Sequence, residues 1–249
     1  MSAGAKKQRA DQALVERGLV ETRAKAQALI MAGKVFSGEQ RIDKPGQPIA
    51  AEKPLEVRGQ DHPWVSRGGL KLEKGLAAFG INPTGLVAID VGASTGGFTD
   101  VLLQGGAAKV YAVDVGRGQL HWKLRSDDRV AVMEATNART LTAEQIPEPA
   151  DIVVCDASFI GLEKVLPAAL ALTKPEAWLV ALIKPQFQVG KGEVGKGGVV
   201  RDPALHERVC AEARAWLDAQ PGWRSLDIVE SPITGPSGNV EFLLGGRKG

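Results

Sequence analysis

Residues 87–98 read Val87-Ala88-Ile89-Asp90-Val91-Gly92-Ala93-Ser94-Thr95-Gly96-Gly97-Phe98, and this stretch decides the fold class of the 249-residue chain. An apolar strand ends in an acidic residue, a turn of small residues follows, and a helix is predicted to begin at Gly97. At the carboxyl end of a parallel strand, such a turn lets a ligand lie against bare backbone beside a helix N-terminus. The stretch therefore predicts an α/β enzyme that binds a nucleoside-like cofactor.

The spacing of small residues in this turn separates two classes of cofactor. Enzymes that bind dinucleotides favour G-x-G-x-x-G, whose middle glycine lets the pyrophosphate approach the backbone. Here Gly92 and Gly97 hold the outer places, Ser94 holds the middle one, and Asp90 would repel a pyrophosphate. A carboxylate suits the positively charged amino group of a methionine moiety instead. The turn therefore favours S-adenosylmethionine over a nicotinamide dinucleotide.

Two further strand ends extend the predicted cofactor site. Asp114 ends the predicted strand 109–113, where its carboxylate can accept both ribose hydroxyls. Asn137 follows the predicted strand 130–133 and can reach the adenine. The residues predicted to bind the cofactor are Asp90, Gly92, Ser94, Gly96, Gly97, Phe98, Asp114, Val115, Asn137 and Asp156. A structural glycine turn flanked by acidic strand ends is the alternative interpretation of this set.

Composition disfavours several classes of protein. The chain is 44% hydrophobic and 24% charged, which is ordinary for a globular protein. No apolar run reaches the roughly 18 residues of a membrane span, and the first residues contain no apolar targeting segment, so we expect a cytoplasmic protein without membrane contact. Two isolated cysteines, Cys155 and Cys210, and three scattered histidines predict no disulfide, zinc or other metal site.

Positive charge is concentrated near the N-terminus. Residues 1–60 contain 11 Lys and Arg against 7 Asp and Glu, whereas the remainder contains 20 against 22. Helices are predicted at 8–20 and 23–32, a hairpin at 34–42 and a short strand at 55–57. This region resembles the S4-like RNA-binding domain of ribosomal proteins, pseudouridine synthases and some tRNA synthetases. The resemblance is carried by Arg9-Ala10-Asp11, Leu14-Val15, Gly18-Leu19, Arg23-Ala24-Lys25-Ala26, Ile30, Gly33-Lys34-Val35 and Gly38.

The rest of the chain alternates strands and helices. Residues 61–69, punctuated by Pro63 and a Gly-Gly pair, are predicted to link the domain at 1–60 to a second domain at 70–249. Alternation predicts an α/β fold with a doubly wound, Rossmann-like parallel sheet, preceded by a small α+β domain. The last strands, 224–229 and 240–244, are joined by a segment with two prolines that cannot form a crossover helix. The last strand is therefore predicted to be antiparallel, as in methyltransferase sheets.

Four charged residues occupy places that are hard to explain structurally. Asp156 and Lys184 follow apolar strands at the same sheet edge as Gly92. Lys71 lies in the first turn of the predicted helix 70–79, where the helix dipole disfavours a cation. Glu241 stands inside the predicted strand 240–244. An exposed lysine and a charge on an edge strand are the alternatives for Lys71 and Glu241.

The chain as a whole resembles the TlyA (hemolysin A) family of ribosomal RNA 2′-O-methyltransferases, whose catalytic domain is of the FtsJ/RrmJ type. The matching strings are Trp64-Val65-Ser66-Arg67-Gly68-Gly69-Leu70-Lys71-Leu72, Asp90–Gly97, Cys155-Asp156-Ala157-Ser158-Phe159, Leu182-Ile183-Lys184-Pro185-Gln186-Phe187, Gly195-Lys196-Gly197-Gly198-Val199-Val200-Arg201-Asp202-Pro203 and Gly238-Asn239-Val240-Glu241-Phe242. The resemblance implies a catalytic tetrad of Lys71, Asp156, Lys184 and Glu241. It also implies S-adenosylmethionine as methyl donor and cytidine in ribosomal RNA or ribosomal subunits as the substrate. Gln188 departs from the family pattern, which favours Glu there.

The chemistry of ribose methylation is compatible with this tetrad. A 2′-hydroxyl must lose its proton as it attacks a methyl group, and a lysine with a pKa of about 10.4 is a poor base at neutral pH. Burial and a neighbouring cation both lower such a pKa, so Lys184 beside Lys71 is the predicted base. Asp156 and Glu241 would orient the ammonium groups, and Lys71 would fix the hydroxyl or stabilise the alkoxide. Positioning of the reacting atoms is an alternative source of acceleration.

A glycine-rich stretch at 189–201, with interleaved basic residues, is predicted to close over RNA, an idle surface loop being the alternative. The residues predicted to bind RNA are Arg9, Arg23, Lys25, Lys34, Arg67, Lys191, Lys196 and Arg201. A solvated surface charge is the alternative for those in the N-terminal domain.

Other functions remain open from the sequence. Ala157-Ser158 stands where N-methyltransferases carry a proline pair, which disfavours base methylation. The first alternative is a non-catalytic RNA-binding factor in ribosome assembly. The second is a haemolysin, and the third is a nicotinamide dehydrogenase.

Overall fold

The N-terminal region folds into a small α+β unit. The computed structural model describes residues 7–20, 22–50, 53–58, 62–190, 192–235 and 237–249. The first elements are β1 (Lys7–Arg9), α1 (Ala10–Glu16), α2 (Arg23–Met31), β2 (Val35–Ser37), β3 (Gln40–Arg41), β4 (Pro48–Ala50) and β5 (Glu56–Val57). β1 pairs with β4, and β2 pairs with both β3 and β5, all antiparallel. Leu14, Ile30, Val35 and Ile42 are among the side chains that close its core.

The first helix is shorter than the predicted 8–20. β1 takes up residues 7–9 because it pairs with β4, a partner some 40 residues away in the sequence that periodicity does not reveal. The helix ends at Glu16, and Gly18 follows in the left-handed conformation with φ 66°. The second helix begins as predicted, since the Thr22 hydroxyl accepts a hydrogen bond from the Lys25 amide at 3.2 Å.

A mixed seven-stranded sheet and the helices that cover it form the rest of the described chain. Its elements are α3 (Gly68–Phe79), β6 (Val87–Val91), α4 (Gly97–Gln104), β7 (Lys109–Val113), α5 (Trp122–Arg125), β8 (Val130–Met133), β9 (Ala150–Cys155), α6 (Leu162–Val165), α7 (Pro167–Ala171), β10 (Thr173–Ile183), α8 (Pro203–Asp218), β11 (Trp223–Glu230) and β12 (Phe242–Lys248). The strand order is β11-β12-β10-β9-β6-β7-β8, in which β12 runs antiparallel to both of its neighbours. The predicted doubly wound sheet with an antiparallel last strand is confirmed.

The central strands β6, β7 and β9 are buried on both faces, which is why they are mostly apolar. Along β10, Leu179 and Ala181 face a core shared with α6, α7 and α8. Val180 and Leu182 face a second core that includes Leu72 from α3. The helices therefore cover the sheet on both sides and leave the ends of the strands as the place for a site.

The segment before α3 is fixed to the sheet domain. α3 begins at Gly68, so the last two residues of the predicted linker 61–69 belong to the helix. The Val65 amide donates to Oδ2 of Asp100, at 2.8 Å, on α4. Gly69 lies against the Trp64 ring with no room for a side chain. The described part of the linker is thus packed against the helices that follow it.

Substitution of Gly92 tests how closely the turn after β6 approaches the backbone after β9. Its φ is 82°, and an added Cβ would lie 2.8 Å from Cα of Ala157, whereas Gly85 has φ 76° and open space around it. We expect Gly85→Ala to cost about 1 kcal/mol, from the left-handed backbone alone. Gly92→Ala should cost about 1–3 kcal/mol more, because the backbone after β9 must move. Urea unfolding measures both, and equal losses would contradict the close approach.

Candidate active site

The four charged residues singled out in the sequence meet at one edge of the sheet. Nζ of Lys71, on α3, donates to Oε2 of Glu241 at 2.7 Å and lies 3.6 Å from Oδ2 of Asp156. Nζ of Lys184 lies 2.6 Å from Oδ1 of Asp156. Positive and negative groups alternate in the order Glu241, Lys71, Asp156, Lys184. We call these four residues the charged cluster.

Burial makes the pairing within the charged cluster obligatory. Lys71, Lys184 and Glu241 are only 6%, 7% and 2% exposed, and an unpaired charge at such depth is strongly unfavourable. Lys184 also donates to the main-chain oxygen of Asp156 at 2.9 Å and to Oγ of Ser158 at 2.8 Å. Lys184 thus makes two hydrogen bonds and an ion pair with the Asp156 carboxylate.

Glu241 lies immediately before β12, which begins at Phe242, and the prediction that it stands inside the strand is wrong. The edge-strand interpretation is also wrong, because β12 lies between β10 and β11. Since β12 is antiparallel, its first residue lies at the same sheet edge as the last residues of β9 and β10. Ile183 pairs with Phe242, so Lys184 and Glu241 flank the last paired position.

Two neighbouring cavities open at this edge. The first, which we call the rim cavity, has a volume of about 540 Å³ and is lined by all four residues of the charged cluster. Gly92, Ser94, Gly97 and Phe98 of the predicted cofactor set also line it. The second, the strand-end cleft, has about 530 Å³ and is lined by Asp114, Val115 and Asn137. Gly92, Ser94 and Asp156 line both, so the two cavities adjoin along the strand ends.

Backbone amides hold the acidic group of the strand-end cleft. Asp114 accepts from the Ser94 amide at 2.8 Å through Oδ2 and from the Gly116 amide at 2.7 Å through Oδ1. Ser94 has a positive φ of 48°, which a non-glycine residue seldom adopts. Oδ1 of Asn137 accepts from the Arg139 amide at 3.1 Å. Contacts of Asp114 and Asn137 with a ribose and an adenine stay predictions.

Asp90 and Gly96 do not reach the surface of either cavity. Asp90 is fully buried, with Oδ2 accepting from Oγ1 of Thr99 at 2.6 Å and Oδ1 without a hydrogen-bond partner among the described residues. Burial raises the pKa of the Asp90 carboxyl to about 7, although the bond from Thr99 acts in the opposite direction. Gly96, with φ 97°, precedes α4 and lies against Leu124. Asp90 and Gly96 therefore do not line the cavities, and the contact of Asp90 with an amino group stays a prediction.

Two predicted RNA-binding residues share one buried acid. Oδ2 of Asp11 lies 2.9 Å from Nη2 of Arg9 and 2.8 Å from Nε of Arg23, while both arginines remain about half exposed. The hydrogen bond from Arg9, ahead of those from Gln27 and Arg23, holds the pKa of Asp11 well below its usual range. The two guanidinium groups are thus fixed side by side at the surface.

The other predicted RNA-binding residues are more dispersed. Lys25, Lys34 and Arg67 line an inter-domain cavity of about 320 Å³ between the two domains. Lys196 and Arg201 are exposed on the glycine-rich segment, and Lys191 lies outside the described residues. Buried Asn239 fixes this segment beside the rim cavity. It accepts from the Val200 amide and donates to the Gly198 carbonyl, both at 2.9 Å.

Phe159 is a feature that the sequence interpretation missed. Its side chain is 87% exposed, its φ is 66°, and it lines both the rim cavity and the strand-end cleft. Its ring centroid lies 4.8 Å from that of Phe187. The available signal was an aromatic residue four positions beyond the last residue of an apolar strand, Cys155, where it does not contribute to the core.

A doubly wound sheet with an antiparallel last strand and a small-residue turn beside a cavity defines the methyltransferase class. The sequence model of the FtsJ-like methyltransferase family matches residues 64–248, and that of the S4 domain matches residues 8–53. The chain belongs to the FtsJ-like methyltransferase family and carries an S4 domain at its N-terminus.

Similar proteins span nearly the whole chain. The 16S/23S rRNA (cytidine-2′-O)-methyltransferase TlyA of Mycobacterium tuberculosis is 50% identical, over 96% of this chain and 90% of that protein. Hemolysin A of Brachyspira hyodysenteriae is 41% identical, over 94% and 98%. A hemolysin-named protein from Streptococcus thermophilus has a solved structure with a TM-score of 0.75 and 42% identity, covering 98% of this chain and 90% of that one. In the described part of the chain, no helix is long and apolar enough to cross a membrane.

Removing one partner of the charged cluster tests its pairing. Lys71→Met leaves Glu241 buried without its partner and should lower the free energy of unfolding by about 3–5 kcal/mol. Lys71→Met combined with Glu241→Gln should cost clearly less than the sum of the single substitutions, with a coupling of about 1–3 kcal/mol. Arg129→Met, at the half-exposed pair with Asp127, is the control and should cost below about 1 kcal/mol. Additive losses in urea unfolding would contradict the pairing.

The buried carboxyl of Asp90 predicts a pH dependence of stability. Its pKa in the folded state, about 7, lies above the unfolded value, so the folded state binds the extra proton between about pH 4 and pH 7. The wild-type free energy of unfolding should therefore fall by about 1 kcal/mol per pH unit as pH rises through this range, relative to Asp90→Asn. Above pH 7.5 the difference should level off. Parallel stability curves for the two proteins from pH 5 to pH 8 would contradict this.

Proposed function

We propose that this protein transfers a methyl group from S-adenosylmethionine to the 2′-hydroxyl of a cytidine ribose in ribosomal RNA. The observation that carries the proposal is the charged cluster, two lysines and two acids converging in the wall of the rim cavity beside the small-residue turn. The Mycobacterium tuberculosis relative, named for this reaction on 16S and 23S rRNA, supports the choice of substrate.

The residues at the strand ends fit the methyl donor. The strand-end cleft and the rim cavity adjoin at Gly92, so one elongated molecule can occupy both. Asp114, held by two backbone amides, has lone pairs left for a ribose, and Asn137 and Val115 would flank an adenine. Ser94, Gly97 and Phe98 would flank the methionine portion. When bound, S-adenosylmethionine supplies an electrophilic methyl group on a positively charged sulfur.

The charged cluster supplies the proton chemistry. The bond from the ribose oxygen to the methyl carbon would form as the methyl–sulfur bond breaks, with its electron pair left on the sulfur. The hydroxyl proton would pass to Nζ of Lys184, which must be in its amine form to accept it. Nζ is held in place by hydrogen bonds to the main-chain oxygen of Asp156 at 2.9 Å and to Oγ of Ser158 at 2.8 Å, with the Asp156 carboxylate 2.6 Å away. Lys71, held by Glu241, donates a hydrogen bond to the ribose oxygen and stabilises the negative charge that develops there.

RNA would be held by residues at the rim cavity and by residues of the S4 domain. The exposed Phe159 ring, backed by Phe187, can stack on the target base, a contact that suits any unpaired base. Arg9 and Arg23, fixed by Asp11, and Lys25, Lys34 and Arg67 at the inter-domain cavity are proposed to bind phosphates. Lys196 and Arg201 would do so on the glycine-rich segment, and Lys191 of the same segment stays a prediction.

Substitutions of Lys184 show whether its side chain accepts the proton or only orients the reacting groups. Radiolabelled methyl transfer to ribosomal subunits or free ribosomal RNA should occur with the wild type and fall about 10²–10⁴-fold in Lys184→Ala. Lys184→Arg keeps the charge but cannot accept a proton at working pH, so it should be equally impaired. Donor binding, measured by calorimetry, should persist in both variants. Residual activity near wild type in Lys184→Arg would show that Lys184 orients and does not act as the base.

Methyl transfer, RNA binding and liposome leakage, measured on the wild-type protein, separate the competing functions. A wild-type protein that binds ribosomal RNA tightly but never transfers the label would be a non-catalytic assembly factor. Leakage from liposomes without methyl transfer would point to a haemolysin. Either result contradicts the proposal.

A further inference from the structure

The loop that follows β7 contacts the N-terminal domain. We call residues 114–121 the β7–α5 loop. Gly18, just after α1, approaches it so closely that an added Cβ would lie 3.3 Å from the main-chain oxygen of Gln119 and 3.6 Å from Cα of His121. A Cβ seldom lies that near a backbone oxygen, so a side chain at Gly18 would push the loop away. The two domains are therefore in direct backbone-to-backbone contact at Gly18 and the β7–α5 loop.

The opposite side of this loop forms part of the strand-end cleft. Gln119 lines the cleft, and its side-chain oxygen accepts from Oγ of Ser94 at 3.2 Å. Asp114 accepts from the Ser94 amide at 2.8 Å, and the His121 amide donates to the Thr95 oxygen at 3.1 Å. Three hydrogen bonds thus tie the loop to the small-residue turn, and a displacement of the loop would displace the turn.

Glu134 makes the loop stiff. Its carboxylate accepts from the amides of Gly118 at 2.8 Å and Gln119 at 3.1 Å, and it forms an ion pair with Arg125. Burial alone would raise the pKa of Glu134, but the Arg125 side chain and the backbone amides outweigh it and lower the pKa to about 2. At neutral pH the carboxylate is therefore charged and makes the loop rigid. A displacement of the loop at Gly18 would therefore be transmitted to the small-residue turn.

Thr95, in the small-residue turn, lies between two cavities. Thr95 lines the rim cavity on one side and the inter-domain cavity on the other. With open space on both sides of Thr95, the approach of Gly18 to the β7–α5 loop is a direct backbone support for this wall.

We propose that the S4 domain braces the methyl-donor site through this contact, and that Gly18 is a positioning residue for donor binding. Gly18 touches neither reacting group and acts through Gln119 and Ser94. The inference rests on the proposed function, because the occupant of the strand-end cleft is taken to be S-adenosylmethionine. It gives the S4 domain a second role besides holding RNA, one that operates in the absence of RNA.

A matched pair of glycines isolates the contact. Gly18 and Gly38 both lie in the S4 domain with φ of 66° and 59°, but an added Cβ at Gly38 would have nothing within 4 Å. Asn tolerates the left-handed conformation better than most residues, so Gly18→Asn and Gly38→Asn carry similar backbone strain. Only the first inserts a side chain against the β7–α5 loop.

Calorimetry with S-adenosylmethionine and the full-length protein, without RNA, measures the effect. Gly18→Asn should raise the Kd of the donor about fivefold or more, Gly18→Ala should raise it less, and Gly38→Asn should leave it at the wild-type value. Urea unfolding of each variant checks that the protein is folded, and a weaker Kd at an unchanged unfolding midpoint is a result that general destabilisation does not produce.

The outcomes separate the two proposals. A wild-type Kd in folded Gly18→Asn, or the same loss in Gly38→Asn, overturns the brace. If Gly18→Asn does not fold, Gly18→Ala decides the question, since it adds one methyl group against Gln119. If the wild type does not bind the donor, the proposed function itself is contradicted. A difference in Kd between variants affects only the proposal about Gly18.

Discussion

The alternating ion pairs of Lys71, Asp156, Lys184 and Glu241 are the constraint on which the rest of this structure depends. Charges at such depth are tolerated only when each has a partner of opposite sign, and these partners come from four separate elements. The antiparallel course of β12 is what makes the set possible, because it brings the residue before the strand to the edge where β9 and β10 end. A parallel β12 would place Glu241 at the opposite edge.

The cavities lie at the same edge of the sheet as the charged cluster, and both positions follow from where the strands end. Parallel strands end together, the small-residue turn after β6 leaves their ends uncovered, and Gly92 allows the backbone after β9 to come close. Asp156, a member of the charged cluster, therefore lines both the rim cavity and the strand-end cleft. The S4 domain adds to this arrangement from outside, with paired arginines at its surface and Gly18 against the β7–α5 loop.

The sequence was most informative where a residue's role follows from its position along a strand. The turn at Gly92, the strand-ending Asp156 and Lys184 and the antiparallel last strand could all be inferred from apolar runs and their punctuation. The association of Lys71 with Glu241 came only from family resemblance, because 170 residues separate them and no periodicity links them.

Other features could not be predicted because they depend on which way a side chain points or on contacts between distant segments. Asp90 was expected at the end of its strand, as Asp114 is, but it lies inside β6, paired with Ala112, and its carboxylate accepts from Thr99. Phe159 is exposed, and its backbone adopts a left-handed conformation that the sequence does not reveal. The support of Gln119 by Gly18 joins two domains and leaves no trace in local sequence.

The most direct test of the central claim is the chemical position of the transferred methyl group. Ribosomal RNA incubated with the wild-type protein and labelled S-adenosylmethionine is digested to nucleosides and analysed by chromatography and mass spectrometry. A charged cluster that deprotonates a ribose hydroxyl predicts that the label is recovered as 2′-O-methylcytidine. Label recovered on a base, or absent from RNA although the protein binds the donor, would contradict the account.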